Sequence, residues 1–148
     1  MTKTPALRLD EFLCFEVYSA NHAFNRVYQP LLEKLNLTYP QYLVMVLLWE
    51  RDGQTVGELG ERLSLESNTL TPLLKRMETL TYIKRTRDPA DERRVHVQLT
   101  ESGRTLRATA LHIPGCILAA SGLDARTAKQ LMMRIATLRH MLENYNPD

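Results

Sequence analysis

Residues 55–100 impose the strongest constraint on the fold, because their apolar spacing changes from helical to strand-like within one short stretch. Thr55 and Glu58 form a T-x-x-E capping box at the start of one helix. A polar turn at 64–67 leads into a second helix, whose predicted core stripe has helical spacing: Leu70, Leu73, Leu74, Met77 and Leu80. Two helices joined by a tight turn predict a helix-turn-helix unit.

A β-hairpin is predicted directly after these helices. Apolar and polar residues alternate strictly at 95–99, which is the pattern of a half-buried strand, and 83–87 can pair with it. The connecting loop, 88–94, is rich in turn residues and carries two adjacent arginines. We therefore predict a winged helix-turn-helix over about residues 38–100, in a chain that is mainly α-helical.

The cations of the chain are concentrated in this segment. Residues 75–94 include seven Lys and Arg against four Asp and Glu, whereas the whole chain carries a net charge of only +2. Charged hairpin tips are often merely solvated, but here the cations coincide with a helix-turn-helix, which indicates binding to double-stranded DNA. The predicted contacts lie on the outward face of the second helix and on the wing: Asn68, Thr69, Thr71, Pro72, Lys75, Arg76, Arg87, Arg93 and Arg94.

Asp91 is predicted to shape the wing rather than to contact DNA. A carboxylate at a DNA-facing tip repels phosphate. Its expected role is therefore to pair with a neighbouring arginine, such as Arg93 two positions along the chain, and so to hold the loop.

The segments on either side of this unit predict long helices with more apolar surface than one protomer can bury. Residues 9–36 form one such helix, which Pro30 is expected to kink or end. Residues 101–145 supply the others, with a break expected at Pro114-Gly115. Spare apolar faces at both ends of the chain predict a helical dimer interface, and a two-fold dimer predicts a pseudo-palindromic DNA site.

Length and composition restrict the remaining possibilities. A chain of 148 residues fits a single protomer, 1–148, with a sizeable core. Neither a membrane-spanning run nor a signal peptide is visible, so we expect a cytoplasmic protein without membrane contact. In that reducing compartment two cysteines predict no permanent disulfide. The histidines do not stand at metal-ligand spacing, and neither a metal nor a cofactor is expected: His22, His96, His112 and His140.

Two motifs closely resemble the MarR (multiple antibiotic resistance regulator) family of bacterial transcription factors. They are LTPLLKRME at 70–78 and the wing motif RTRDPADERRVHVQLTESGR at 85–104. The resemblance covers essentially the whole chain in length and helix order. Asn68 stands where a glycine is common before the recognition helix, and Thr81 where a glycine usually follows it. Thr81 is therefore expected to adopt a left-handed conformation, unless the helix ends differently.

Cys14 lies among aromatic residues on the first predicted helix. A buried thiol that packs as a small hydrophobe is one interpretation. Tyr18, four positions along the same helix, could bring its hydroxyl toward the sulfur. The arrangement of Cys14, Tyr28 and Tyr39 resembles the organic-hydroperoxide-sensing (OhrR-type) branch of the MarR family. That resemblance implies that the Cys14 thiolate reacts with the peroxide while tyrosine hydroxyls hydrogen-bond to it.

Helix geometry decides which chain would supply Tyr28. Fourteen residues of straight helix separate Cys14 from Tyr28 by roughly 21 Å, so the two cannot touch within one protomer. Any contact between them must therefore cross a dimer interface.

Cys116 is the candidate second thiol. The resemblance is to two-cysteine members of the branch, in which the oxidised first-helix cysteine forms a disulfide with a cysteine of the other subunit. Cys116 as a bystander, and a mixed disulfide with a small cellular thiol, remain alternatives.

Three functions follow from these features. The preferred interpretation is a homodimeric repressor, not an enzyme, that releases DNA when an organic hydroperoxide oxidises Cys14. The second is a MarR-type regulator relieved by a small lipophilic or phenolic ligand, with Cys14 incidental. The third is a thiol peroxidase using Cys14 and Cys116. The absence of a C-x-x-C motif and the presence of a basic winged helix both argue against it.

Overall fold

The computed structural model describes residues 7–147 and divides the chain into two compact units, one ending at Leu111 and one beginning at His112. After a 3-10 turn at Leu9–Glu11, the helices of the first unit are α1 (Leu13–Glu33), α2 (Tyr39–Glu50), α3 (Val56–Leu63), α4 (Ser67–Thr79) and α5 (Glu101–Ala110). Its strands are β1 (Gln54–Thr55), β2 (Ile83–Arg87) and β3 (Val95–Leu99). The second unit consists of α6 (Ile113–Ser121) and α7 (Ala125–Glu143).

The predicted hairpin is confirmed, and the structure defines its register. Strands β2 and β3 pair antiparallel from Ile83 opposite Leu99 to Arg87 opposite Val95. A third strand, β1, was not predicted; it pairs antiparallel with the other edge of β3 and gives the order β1-β3-β2. Two residues are too few to show a period of two, so only the tertiary pairing reveals this strand.

The core of the first unit is built around α2, as its apolar sequence indicates. Tyr42, Val44, Met45, Leu47 and Leu48 are all buried. The helix starts with the capping box of Thr38, which accepts a hydrogen bond from the Gln41 backbone and receives one back from the Gln41 side chain.

The buried side chain of Gln54 closes the C-terminus of α2. Its Nε2 donates to the carbonyl oxygens of Leu47 and Arg51, each at 2.7 Å. The Arg51 carbonyl thereby gains a donor, the Leu47 carbonyl gains a second one besides the Arg51 amide, and α2 is tied to β1.

The turn between α3 and α4 requires a close approach of two backbones. A Cβ on Gly60 would lie 2.6 Å from the Leu65 carbonyl oxygen, so no larger residue fits there without movement. Ser64 ends α3 in the left-handed conformation with a φ of 54°, and the Leu65 amide donates to the Gly60 carbonyl at 2.9 Å. This glycine therefore determines how closely α4 follows α3.

Thr81, which follows α4, is left-handed as predicted, with a φ of 65°. The Tyr82 amide donates to the Met77 carbonyl at 3.1 Å, and the Thr81 amide donates to the Glu78 carbonyl at 2.9 Å. The hydroxyl of Thr100 donates to the Thr81 carbonyl. The strained residue is thus held from both sides, and it directs the chain from the recognition helix into the wing.

Three helix boundaries differ from the sequence prediction. The first long helix begins at Leu13 rather than at residue 9. Pro30 does not end it, because the helix continues to Glu33; proline removes only one backbone donor, and the following turn retains its own hydrogen bonds. The expected break at Pro114-Gly115 is wrong: both residues lie in the first turn of α6, where proline lacks only a donor that has no helical partner.

The flanking helices expose large apolar side chains in the protomer. On α1 these include Leu13, Val17, Phe24 and Val27, and on α7 they include Leu131, Met132, Ile135 and Leu142. Among the described residues, no single helix is both long and apolar enough to cross a bilayer.

Replacing Thr81 with glycine is expected to stabilise the protein. A side chain in the left-handed region destabilises the folded state by about 1–2 kcal/mol. Glycine removes this strain, but its larger loss of conformational entropy on folding offsets roughly 0.5–1 kcal/mol of the gain. Thr81→Gly should therefore raise the free energy of unfolding by about 0.5–1 kcal/mol in urea denaturation at fixed protein concentration. Thr79→Gly is the matched control, because Thr79 is helical and the same substitution there should destabilise. If both variants lowered the free energy of unfolding, the inferred backbone strain at Thr81 would be wrong.

Candidate functional sites

The outward face of α4 presents unpaired cations. Asn68, Thr69, Lys75 and Arg76 are exposed. Within residues 7–147 no carboxylate oxygen lies within 4 Å of the cationic nitrogens of Lys75 or Arg76. Glu66 precedes the helix without a side-chain capping hydrogen bond, so no capping side chain covers the amides of the first turn. Both features favour an anionic partner.

Thr71 and Pro72 lie one turn into α4. The Thr71 hydroxyl donates to the Ser67 carbonyl at 2.7 Å, which leaves its oxygen free to accept. Pro72 is exposed and has no amide hydrogen, so the Asn68 carbonyl four residues earlier lacks its usual helical donor. This part of the helix therefore presents acceptors as well as donors, which readout of base edges requires.

At the wing tip the structure brings Asp91 and Arg93 together. Asp91 Oδ1 accepts from the Arg93 amide and from Arg93 Nε, both at 3.1 Å. The Asp91 carbonyl also accepts from the Arg94 amide at 2.9 Å. The Arg93 side chain remains 91% exposed, so the pairing orients the guanidinium without burying it.

A second carboxylate, Asp88, stabilises the base of the loop, and the sequence did not predict this. Asp88 Oδ2 lies 2.9 Å from His96 Nε2, and Oδ1 accepts from the Ala90 amide at 2.8 Å. The hydrogen bond from His96, with that from Ala90, holds the pKa of Asp88 below its usual value. Neither wing aspartate is therefore a free negative charge facing a ligand.

A groove of about 570 Å³ lies between the wing and the helix-turn-helix. Four arginines line it with the start of α4: Arg85, Arg87, Arg93 and Arg94, beside Ser67 and Thr71. Glu58 also lines the groove, but its Oε2 accepts from the Thr55 amide at 2.9 Å and lies 3.4 Å from Arg51. The capping hydrogen bond from Thr55 is the main cause that lowers the pKa of Glu58.

Arg85, which the sequence did not single out as a site residue, links β2 to α4. Its amide donates to Glu78 Oε2 at 3.0 Å, and its guanidinium lies 3.4 Å from both oxygens of Glu78. These hydrogen bonds lower the pKa of Glu78. The wing strand and the recognition helix are thereby held at a fixed separation, which matters because both must reach the same ligand.

Cys14 is the second residue of α1 and is exposed in the protomer. No side chain caps this helix, and the free amides of its first turn favour negative charge nearby. The anticipated contact with Tyr18 is not formed: the Tyr18 ring lies edge-on to His22 at 4.4 Å, and no hydrogen bond joins the Cys14 sulfur to a side chain within the described range. A buried thiol is therefore excluded for the isolated protomer.

Tyr28 and Tyr39, which the sequence singled out, meet in space. Their ring centroids are 4.7 Å apart, and Tyr42 joins them, with its centroid 5.9 Å from that of Tyr28. Burial, with repulsion from the neighbouring phenols, raises the pKa of Tyr28 to about 12. Burial also raises the pKa of Tyr39 and of Tyr42. All three hydroxyls are therefore protonated near neutral pH and act as hydrogen-bond donors.

Cys14 and the tyrosine cluster lie at opposite ends of α1. Within one protomer the sulfur cannot reach the cluster, because the intervening helix is roughly 21 Å long. Cys116 lies in the first turns of α6 and is half-buried; its amide donates to the His112 carbonyl at 3.1 Å. The second thiol is thus within a helix, not just after a helix break as the sequence predicted.

Among the described residues, no group of three or more His, Cys, Asp and Glu side chains could hold a metal ion.

Comparisons with known proteins agree with this geometry. The family model "Transcriptional regulator SarA/Rot" matches residues 26–109. The organic hydroperoxide resistance transcriptional regulator of Bacillus subtilis is 46% identical over 140 residues, which are 95% of this chain and 95% of that protein.

Two solved structures of AbfR, a protein of Staphylococcus epidermidis, share the fold. Reduced AbfR bound to DNA has a TM-score of 0.74 at 36% identity, over 93% of this chain and 97% of that chain. The disulfide form of AbfR has a TM-score of 0.65 at 35% identity, over 93% of this chain and 94% of that chain.

The family model covers more than half of the chain, and the Bacillus relative matches nearly all of it. Along this chain, the wing follows the recognition helix, and long helices flank both. The chain therefore belongs to the SarA/Rot/MarR-type family of winged-helix transcriptional regulators.

Proposed function

We propose that the protein is a homodimeric DNA-binding repressor that releases its operator when an organic hydroperoxide oxidises Cys14. The observation that carries this proposal is the cluster of phenol donors at Tyr28 and Tyr39, with a reactive residue type, Cys14, exposed at the other end of the same helix. The relatives support it, because one is named for organic hydroperoxide resistance and another has been solved both on DNA and as a disulfide.

The charges on the wing and recognition helix fit a phosphate ligand. The nearby carboxylates Asp88, Asp91, Glu58 and Glu78 each accept hydrogen bonds from the protein, whereas Lys75, Arg76 and Arg94 have no carboxylate within 4 Å in the described chain. The face that results is cationic despite an almost neutral chain. Asn68, Thr69 and Thr71 are assigned to base edges, with the wing arginines on phosphates or in the adjacent groove.

A dimer explains both the exposed apolar helices and the separated site. In a two-fold interface each residue contact occurs twice, so Cys14 of each protomer would meet the phenol cluster of the other. Two recognition helices related by this axis read a pseudo-palindromic operator with half-sites about one helical turn (~34 Å) apart. We place the protein with its DNA in the cytoplasm.

Oxidation proceeds through the Cys14 thiolate. The sulfur attacks the terminal oxygen of the hydroperoxide, forming a sulfur–oxygen bond as the oxygen–oxygen bond breaks. Cysteine is oxidised by two electrons to the sulfenic acid, and the peroxide is reduced to an alcohol. Tyr28 and Tyr39 donate hydrogen bonds that stabilise the thiolate, and the aromatic and aliphatic side chains around Cys14 favour organic peroxides over hydrogen peroxide.

Cys116 of the partner subunit is the proposed second thiol. Its sulfur attacks the sulfenic acid, a disulfide forms and water leaves, so that each dimer would hold two intersubunit bonds. A disulfide requires Cα atoms within about 7 Å of each other. Because Cys116 is part of α6, the bond must displace α6 or unwind its first turn, and that movement would change the spacing of the recognition helices.

The two alternative functions make different predictions about turnover. A thiol peroxidase would consume peroxide continuously with a reductant, whereas a sensor reacts about once per subunit; the family of regulators favours a protein that is not an enzyme. A regulator relieved by a small ligand would release DNA without any change at Cys14.

Asp91→Ala is expected to weaken DNA binding although it removes a negative charge. The Asp91 carboxylate orients the highly exposed guanidinium of Arg93, and the substitution leaves that guanidinium free to move. Losing a hydrogen bond of this kind should reduce the free energy of DNA binding by roughly 1 kcal/mol. Glu92→Ala is the matched control, because Glu92 is an exposed carboxylate at the next position and forms no ion pair within the described residues. Fluorescence anisotropy should show lower affinity for Asp91→Ala and equal or higher affinity for Glu92→Ala. Tighter binding by both would refute the wing assignment.

Cys14→Ser should bind operator DNA normally but should not release it when cumene hydroperoxide is added. Tyr28→Phe and Tyr39→Phe should also bind, and each should release more slowly, since a hydrogen bond to a charged group contributes about 1.5–3 kcal/mol. A mobility-shift assay with peroxide, followed by a reductant, measures both effects. Release at the normal rate by Cys14→Ser would favour the small-ligand regulator instead.

A covalent dimer is expected after stoichiometric cumene hydroperoxide. On a non-reducing gel it should disappear in Cys14→Ser and in Cys116→Ser. A monomer band that contains a Cys14–Cys116 bond would contradict the cross-subunit geometry. Full DNA release by Cys116→Ser in the absence of a small thiol would identify the sulfenic acid alone as the switch.

A further inference from the structure

Tyr42 differs from the other members of the tyrosine cluster in its burial. Only 6% of its surface is exposed, whereas Tyr28 and Tyr39 are half-buried. Within residues 7–147 its hydroxyl donates to no protein acceptor, and no side-chain polar atom there is both buried and unpaired. The ring of Tyr42 is therefore enclosed while its hydroxyl oxygen reaches the surface.

The ring of Tyr42 packs in the same cluster as those of Tyr28 and Tyr39. Tyr39 and Tyr42 stand three positions apart on α2, which puts them on one helix face. The Tyr28 ring lies 4.7 Å from Tyr39 and 5.9 Å from Tyr42, centroid to centroid. Three phenol donors thus share one patch, and none of them has an acceptor in the described part of the protomer.

The peroxide reaction requires a proton donor for the leaving group, in addition to the hydrogen-bond donors that stabilise the thiolate. When the oxygen–oxygen bond breaks, the leaving alkoxide is strongly basic and must be protonated in a site from which water is excluded. Attack on the peroxide is in line, so the leaving oxygen lies on the side opposite the sulfur. Tyr28 and Tyr39 are the phenols assigned to the thiolate, so Tyr42 is the donor of this cluster that remains for the leaving oxygen.

We propose that Tyr42 is the general acid of the sensor, and that its hydroxyl protonates the alkoxide of the organic hydroperoxide as Cys14 of the partner subunit is oxidised. This inference rests on the proposed function. The step balances as follows: the thiolate gains an oxygen and a proton as sulfenic acid, the alkoxide takes the Tyr42 proton to become an alcohol, and water restores the phenol. Because burial raises the pKa of Tyr42, the phenol keeps its proton until the alkoxide forms.

Two peroxides with different leaving groups test the assignment. Cumene hydroperoxide releases a basic alkoxide that needs a proton, whereas peracetic acid releases acetate, which does not. The rate of Cys14 oxidation is measured by rapid-quench trapping of the sulfenic acid with dimedone, in a Cys116→Ser background that prevents disulfide formation.

Tyr42→Phe keeps the buried ring, and it should slow oxidation by cumene hydroperoxide about 100-fold while leaving the rate with peracetic acid unchanged. Tyr28→Phe should slow both reactions, because it acts on the thiolate. Tyr145→Phe, an exposed tyrosine in the second unit, is the matched control and should change neither rate.

Equal slowing of both peroxides by Tyr42→Phe would overturn the general-acid role, and so would the absence of any effect. If Cys14 of the unsubstituted protein reacted with neither peroxide, the redox function itself would be refuted, and this inference with it.

Discussion

The rigidity of one α-helix fixes the distance between Cys14 and the tyrosine cluster. Cys14 is the second residue of α1 and Tyr28 is the sixteenth, and an unbroken helix keeps them roughly 21 Å apart. The helix persists through Pro30, so bending at its far end does not bring the sulfur to the phenols. Cys14 and the phenols proposed to stabilise its thiolate lie on one rigid helix, so they can act together only when two such helices lie side by side in opposite directions. In the proposed sensor, the redox site is therefore part of the dimer interface, and its chemistry acts on the helix proposed to hold the two DNA-binding units together.

The predicted DNA-binding surface depends on carboxylates whose oxygens already accept hydrogen bonds from other groups of the protein. Asp91 orients Arg93, Asp88 binds His96, and Glu78 binds Arg85. Each pair is partly exposed, so none contributes much to overall stability. Their importance is geometric, because a hairpin tip rich in arginine would otherwise repel itself and sample many conformations. The acidic residues therefore hold the arginines in a defined arrangement, although they lower the net positive charge of this surface slightly.

Local patterns predicted most of the fold, and non-local contacts account for what they missed. Capping boxes at Thr38 and Thr55 and the alternation in β3 act over a few residues, so the sequence shows them directly. Strand β1 exists only because β3 has a free edge beside it, and two residues carry no periodicity. The place of Tyr42 in the tyrosine cluster could not be predicted either, because its apolar neighbours on α2 suggest only a core position and the cluster forms through packing against α1. Proline misled for different reasons: Pro114 in α6 lacks a donor that has no helical partner, whereas Pro30 in α1 removes one hydrogen bond and the helix continues past it.

The position of Cys116 on α6 changes the physical picture of the switch. A thiol in a flexible break could form a disulfide without disturbing anything else, and the bond would then transmit little. Cys116 lies on α6 instead, and its amide is bound to the His112 carbonyl, so its backbone cannot move independently of the first turn. In the proposed switch, any backbone movement that the disulfide requires must therefore move α6 or unwind its first turn. Gly115 has no side chain to restrict the unfolded backbone, so unwinding at this residue costs less than at its neighbours in the helix. In the proposed switch, the first turn is therefore the part of α6 that a disulfide unwinds most easily.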